Sequence, residues 1–303
     1  MTARWFLSAN PQLPTPNPHL IMLVEKITSR QNPLVKRFRR VRAGSERPHV
    51  FLEGVRLIED ALNTRAHFET VAFTTALQAN ERGAALLGAL QAVQCRGALV
   101  SEQVMKAIAG TEAPQGVTAI VSRPYLVLEE LFATSPDLLV IADELQDPGN
   151  IGAIIRTAEA AGAGGLITTR YTVDPFSDKS MRASMGSALR LPIVTDAKRE
   201  VVFAQCGERK IKIIASTPAI ARAPVLEDAA KAQIVRVCSD VDMTVPFALI
   251  VGREATGVST EAAEQADEFV HIPMAEGVES LNVAAATAML LYEAARQRGF
   301  RFK

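Results

Sequence analysis

With 303 residues, 33 basic and 33 acidic side chains and a formal net charge of +0, the chain has no global field to draw it to a polyanion, so any such affinity must come from a local basic patch. Hydrophobic residues make up 48% and charged residues 22%, an ordinary globular balance, and the length suits two domains of about 150 residues each. Cys95, Cys206 and Cys238 lie far apart with no Cys-x-x-Cys pair, which argues against a disulfide framework or a zinc site, and no apolar run reaches the about 18 residues of a membrane span. The expected setting is reducing and cytoplasmic, with no metal and no membrane partner.

In chain order, residues 1–22 hold a short Trp5-Phe6-Leu7 run and then Pro11, Pro14, Pro16 and Pro18, and read as a disordered extension; Met22 is a candidate start. Between residues 26 and 42 lie Lys26, Arg30, Lys36, Arg37, Arg39, Arg40 and Arg42 with no acid among them. Such a block supplies phosphate contacts, and Arg30, Lys36, Arg37, Arg39 and Arg40 are its candidate RNA-binding residues; the plain alternative is a solvated helix. Residues 50–53, 71–74 and 119–121 read as strands, and 55–63 and 84–93 as helices, so 23–122 is a small α/β domain. Arg123-Pro124 ends it, and 123–135 is a linker or connecting helix.

From residue 136 the pattern changes. Residues 138–142, 165–169, 211–216, 247–251 and 269–272 read as buried strands, and 151–161, 179–187, 201–207 and 281–295 as helices. Strands alternating with helices predict a mostly parallel sheet covered on both faces.

Three junctions concentrate polar residues after strands, where free backbone N–H groups suit ligands. The first is Asp147-Pro148-Gly149-Asn150-Ile151-Gly152-Ala153-Ile154-Ile155-Arg156-Thr157. Here Asn150 is a good N-cap, and Arg156 is either functional or a solvated residue paired with Glu159. The second is Gly252-Arg253-Glu254-Ala255-Thr256-Gly257, whose glycines let backbone approach a ligand. It is not the Gly-x-Gly-x-x-Gly fingerprint, which disfavours dinucleotide-dependent dehydrogenases and the commoner methyltransferases. The third is Ile272-Pro273-Met274-Ala275-Glu276-Gly277-Val278-Glu279-Ser280-Leu281-Asn282-Val283, in which Ser280 or Asn282 caps the last helix.

Together these stretches resemble the three motifs of the SpoU (TrmH) family, RNA ribose 2'-O-methyltransferases of the SPOUT class. Asp174 to Ser187 resembles the family's loop and helix between its first two motifs, where Lys179, Arg182 and Ser184 are expected to bind a phosphate. Thr111-Glu112-Ala113-Pro114-Gln115-Gly116-Val117, residues 27–36 and Phe51-Leu52-Glu53-Gly54-Val55-Arg56 resemble its N-terminal domain, similar to ribosomal protein L30e.

The resemblance implies an α/β fold: a small L30e-like RNA-binding domain at 23–122 and a SPOUT domain at 136–303 tied in a trefoil knot. It implies S-adenosylmethionine as cofactor, RNA, most of all 23S ribosomal RNA, as partner, and a homodimer. Asn150, Arg156, Glu254, Ser280 and Asn282 would be catalytic, with Asn150 and Glu254 orienting Arg156. Gly252, Ile272, Leu281, Thr217 and Gly257 would hold the cofactor. Transfer RNA as substrate, or a non-catalytic RNA-binding protein, are the alternatives. The segment 219–245 is longer than the family's usual form.

Overall fold

The computed structural model describes residues 24–93, 95–217, 235–254 and 256–300; the expectations for 1–22 and for most of 219–245 lie outside them. The chain divides into two compact units, Met1–Arg123 and Pro124–Lys303.

In the first unit β1 (Val24–Ile27), β2 (His49–Glu53), β3 (Phe68–Phe73), β4 (Arg96–Val100) and β5 (Val117–Ser122) form a sheet in the order β1-β4-β3-β5-β2. The pairs β1–β4 and β3–β4 are parallel, whereas β5 runs antiparallel to β3 and β2. Helices α1 (Pro33–Arg42), α2 (Val55–Asn63), α3 (Thr75–Gln78), α4 (Glu81–Ala92) and α5 (Glu102–Ile108) join the strands. The basic block folds as α1 because Asn32 accepts from Leu34 N at 2.8 Å, Pro33 opens the first turn, and Leu34, Val35, Phe38 and Val41 repeat at helical spacing. That stripe packs with α5 residues Val104, Met105 and Ile108 in one core cluster.

Two of the three N-terminal stretches, 51–56 and 111–117, form a single clasp. Helix α2 follows Gly54, whose φ of 97° excludes most side chains, and Gly54 offers no side-chain cap. Gln115 Oε1 supplies one by accepting from Val55 N at 3.0 Å. Glu53 accepts in turn from Gly110 N at 2.7 Å and from the Thr111 hydroxyl.

The second unit holds α6 (Leu128–Ala133), β6 (Leu138–Ala142), α7 (Pro148–Ala160), β7 (Gly165–Thr169), α8 (Asp178–Ser184), α9 (Ser187–Arg190), β8 (Ile193–Ala197), α10 (Arg199–Glu208) and β9 (Lys212–Ser216). It continues with β10 (Val235–Val237), β11 (Phe247–Val251), α11 (Thr260–Glu264), β12 (Glu268–His271) and α12 (Val283–Gln297). Its seven strands pair in parallel in the order β10-β12-β9-β11-β6-β7-β8. On one face Leu139, Ile141, Ala248 and Ile250 join α6, α10 and α11 in one cluster. The intervening Leu138, Val140 and Leu249 are equally buried, so the sheet is covered on both sides, with α7 and α12 packed together.

Of the two readings of 123–135, linker or connecting helix, the helix is the one found: α6 inserts Leu128, Leu131 and Phe132 into the second unit's core. One expectation is corrected here. The helix expected over 179–187 breaks because Met185 and Gly186 are both left-handed, which ends α8 at Ser184 and lets α9 start at Ser187.

Candidate active site

Parallel pairing gathers the carboxyl ends of β12, β9, β11 and β6 along one rim, where loops carry free backbone groups. A cleft of about 600 Å³ opens there. Thr217, Gly252, Glu254, Gly257, Ile272, Ser280 and Leu281 all line it, so seven of the predicted residues from four segments share one wall. Gly252 is obligatory: a side chain there would overlap the backbone of Gly257 and Val258. The hairpin closes on itself through Gly257 N, which donates to Arg253 O at 2.9 Å, and Gly257 has a φ of 75°. Thr217 N donates to Val270 O at 2.9 Å, tying β9's end to β12.

Asn150, Glu254 and Asn282 make one polar relay. Asn150 Nδ2 donates to Glu254 Oε1 at 2.8 Å, and Asn282 Nδ2 donates to Asn150 Oδ1 at 3.0 Å. Asn282 also caps α12, its Oδ1 accepting from Ala284 N at 2.9 Å and Ala285 N at 3.3 Å. Its amide therefore uses its acceptor for the helix and its donor for the site. Asn150 does not cap α7. Asp147 does, accepting from Gly149 N at 2.7 Å and Asn150 N at 2.9 Å, which leaves the Asn150 side chain for the relay. Those backbone bonds and the nearby Lys179 ammonium hold the Asp147 carboxyl below the usual carboxylate range.

Arg156 lies six residues beyond Asn150 on α7, exposed, with no hydrogen bond or ion pair to a described residue. Asn150 and Glu254 do not contact it within this chain; they bind one another. Glu159 is not its partner either, since both Glu159 oxygens take Arg190, at 2.6 and 2.9 Å. Ser184 is fully buried and donates to Met181 O at 3.0 Å, so it is withdrawn from phosphate binding. Arg182 pairs with Asp178, and Lys179 lies 3.4 Å from Asp147.

In the first unit Arg37 is tied to Glu69 at 2.5 Å and Glu46 at 3.2 Å, and Arg40 to Glu46 at 2.8 Å. These contacts spend two of the expected phosphate-binding cations within the unit. Arg30, Lys36 and Arg39 stay exposed.

The sequence reading missed a charged cluster on the cleft's floor. Asp143 and Glu144 follow β6. Asp143 is 1% exposed and accepts from Arg199 Nε at 2.6 Å, Thr169 Oγ1 at 2.9 Å and Ser259 N at 3.1 Å. Burial pushes its carboxyl up, but these bonds outweigh burial and hold it below the ordinary range. Glu144 bridges Arg199 and Arg253, the latter at 2.5 Å. Two carboxylates directly after a buried apolar run were a readable signal; Arg199, far along the chain, offered none.

Comparison with known proteins agrees with this geometry. The family model described as "SpoU rRNA Methylase family" matches residues 137–292, and an "MRM3-like substrate binding domain" model matches 32–119. An uncharacterized tRNA/rRNA methyltransferase of Synechocystis sp. is 34% identical over 91% of this chain and 95% of its own. The 23S rRNA (guanosine(2553)-2'-O)-methyltransferase RlmP of Bacillus subtilis is 30% identical over 89% and 98%. An AdoMet-bound rRNA methyltransferase from Sinorhizobium meliloti superposes with a TM-score of 0.76 at 30% identity, covering 90% of this chain and 98% of that one. With its second and third motifs lining one cleft, the first hydrogen-bonded to both through Asn150, and family models matching in both units, the chain belongs to the SpoU rRNA methylase family.

Proposed function

We propose that this protein transfers a methyl group from S-adenosylmethionine to a ribose 2'-hydroxyl of ribosomal RNA, with 23S RNA the foremost substrate. The observation that carries the reading is the Asn150–Glu254–Asn282 relay at the rim of a cleft walled by Gly252, Ile272 and Leu281. The cofactor fits the donor set. Apolar Val270, Ile272, Leu281 and Leu290 suit an adenine and thioether, glycine backbone can be read only by main chain, and Glu254 and Glu261 suit a cationic sulfonium.

The cofactor supplies an electrophilic methyl carbon. The protein's part is positioning, removal of water and control of the hydroxyl proton. Asn282 and Asn150 fix the Glu254 carboxylate in one orientation, and Ser280 and Asn282 contact the ribose. Arg156 binds the adjacent phosphate and stabilises developing alkoxide charge; a guanidinium offers five donors and no acceptor, so it is no base. The proton passes to a neighbouring carboxylate or to the RNA phosphate.

The protein works as a homodimer in which Arg156 serves the partner's site. Exposed Met289 and Tyr292 on α12, with Val278 and Leu281 before it, give the apolar surface such an interface needs. The C-terminal chain is tied in a trefoil knot, a reading supported by α12 packing on α7 although β12 lies three strands from β6. The first unit, at 23–122, is an L30e-like RNA-binding domain, with Arg30, Lys36 and Arg39 its phosphate contacts, and the second, at 136–303, the SPOUT domain. Lys179, Arg182, Arg37 and Arg40 add charge at the RNA once their internal partners exchange. The site of action is the cytoplasm; no described helix is long and apolar enough to cross a membrane.

The test is transfer of labelled methyl from S-adenosylmethionine to total RNA of a strain lacking the gene, with ribose-methylation mapping. One new 2'-O-methyl site in large-subunit RNA is expected. Label in transfer RNA would move the substrate, and no label with no cofactor binding would leave a non-catalytic RNA-binding protein.

A further inference from the structure

We propose that Arg253 is an anion-binding residue of the cleft, taking a pair of oxyanion oxygens from one of the two reactants. The inference rests on the methyl-transfer reading above. Among the described residues lining the cleft, Asp143, Glu144, Glu254 and Glu261 are acidic and Arg253 is the one arginine or lysine. Both reactants bring an anion to this rim: the cofactor has an α-carboxylate and RNA has phosphates. An otherwise acidic lining repels both, so the anion is directed to the single guanidinium.

The surroundings hold Arg253 ready for that role. Its backbone is fixed by the bridge to Gly257, between the Gly252 wall and Glu254 of the polar relay. Its side chain is pinned to Glu144 Oε2 at 2.5 Å while remaining 47% exposed. The second Glu144 oxygen is occupied by Arg199, which is only 17% exposed and also binds Asp143 at 2.6 Å. Glu144 is thus an anchored post, and Arg253 leans on it from the open side. Guanidinium carries five N–H donors in a planar fork, and none of those left after the Glu144 contact meets a described acceptor. A fork with spare donors suits a carboxylate or phosphate bidentately, which lysine cannot match.

The experiment compares wild type with Arg253→Met and Arg253→Lys. Calorimetry measures the affinity for S-adenosylmethionine and for its decarboxylated analogue, and steady-state kinetics measure KM for ribosomal RNA. If the anion is the cofactor carboxylate, Arg253→Met binds intact cofactor at least about tenfold more weakly and the decarboxylated analogue as wild type does. If it is an RNA phosphate, both cofactor affinities hold and KM for RNA rises about tenfold with a shallower salt dependence. In either case Arg253→Lys recovers part of the loss. Wild-type values for cofactor affinity, KM and kcat in Arg253→Met overturn the inference and leave the methyl-transfer reading intact. A wild-type protein that neither binds cofactor nor methylates RNA overturns that reading, and this inference with it. Arg253 is half exposed, and an unchanged melting temperature in both variants separates anion binding from loss of fold.

Discussion

The Asn150 side-chain amide donates to Glu254 Oε1 at 2.8 Å across 104 residues of sequence. The bond joins the start of α7 to the hairpin after β11, so each orients the other. Asn150→Asp replaces a donor by a second carboxylate facing Glu254 and turns attraction into repulsion. We expect kcat to fall about a hundredfold, the scale of an ångström's misplacement, and further than in Asn150→Ala, with cofactor affinity within about twofold of wild type. An aspartate variant more active than the alanine variant would remove the relay from the mechanism.

Arg156 has no described partner, so its substitution should leave stability unchanged. Arg156→Lys keeps the charge and loses the planar fork. The expected result is a loss of about a hundredfold in kcat/KM with an unaltered melting temperature. Activity near wild type would show that a point charge suffices.

Gly252 has no room for a side chain against Gly257 and Val258. Gly252→Ala must open the hairpin that walls the cleft, and overpacking of this kind costs about 1–3 kcal/mol. Calorimetry should record at least about a tenfold loss of S-adenosylmethionine affinity alongside a lower melting temperature. A wild-type dissociation constant would mean that the cofactor does not lie against this wall.

Asp143 links the fold to pH. Its folded pKa lies below the unfolded value of about 3.9, because the hydrogen bonds from Arg199, Ser259 and Thr169 outweigh burial. The stability it contributes is present above about pH 4 and is lost as the pH falls through the folded value. Urea unfolding from pH 7 to pH 3 should show wild type losing stability below pH 4 more steeply than Asp143→Asn. The variant should start about 3 kcal/mol lower at pH 7, since it leaves Arg199 short of a buried partner. Equal acid slopes would assign the acid sensitivity to other carboxylates.

The sequence was most legible where period and chemistry coincided. The strands 138–142, 165–169 and 247–251 were read at their observed bounds: the first and last are continuous apolar runs, and all three are buried along their whole length. Helix α1 was legible only as the solvated alternative for the basic block; its buried stripe of Leu34, Val35, Phe38 and Val41 lay beneath the charges. The cleft wall was readable from Gly252, Ile272 and Leu281. The pairing of charges was not, since Arg37 with Glu69, Arg182 with Asp178 and Arg199 with Asp143 depend on tertiary neighbours. Asn150 likewise looks like a helix cap until Asp147, three residues earlier, is seen to occupy that role.

Strand β11 sits between β6 and β9, pairing Phe247 with Leu138 on one side and with Lys212 on the other. It is synthesised after both neighbours, so during assembly the sheet has a slot rather than a centre. Until β11 fills it, two apolar strand edges lie open, and such edges attract foreign strands. Closing the slot costs loop-closure entropy before the non-local pairings of β11 offset it, which slows refolding and prolongs exposure to aggregation. The same insertion brings Gly252, Arg253 and Glu254 to the rim, so the strand that completes the sheet also completes the cleft, and a chain with the slot still open lacks the wall and the carboxylate that Asn150 holds.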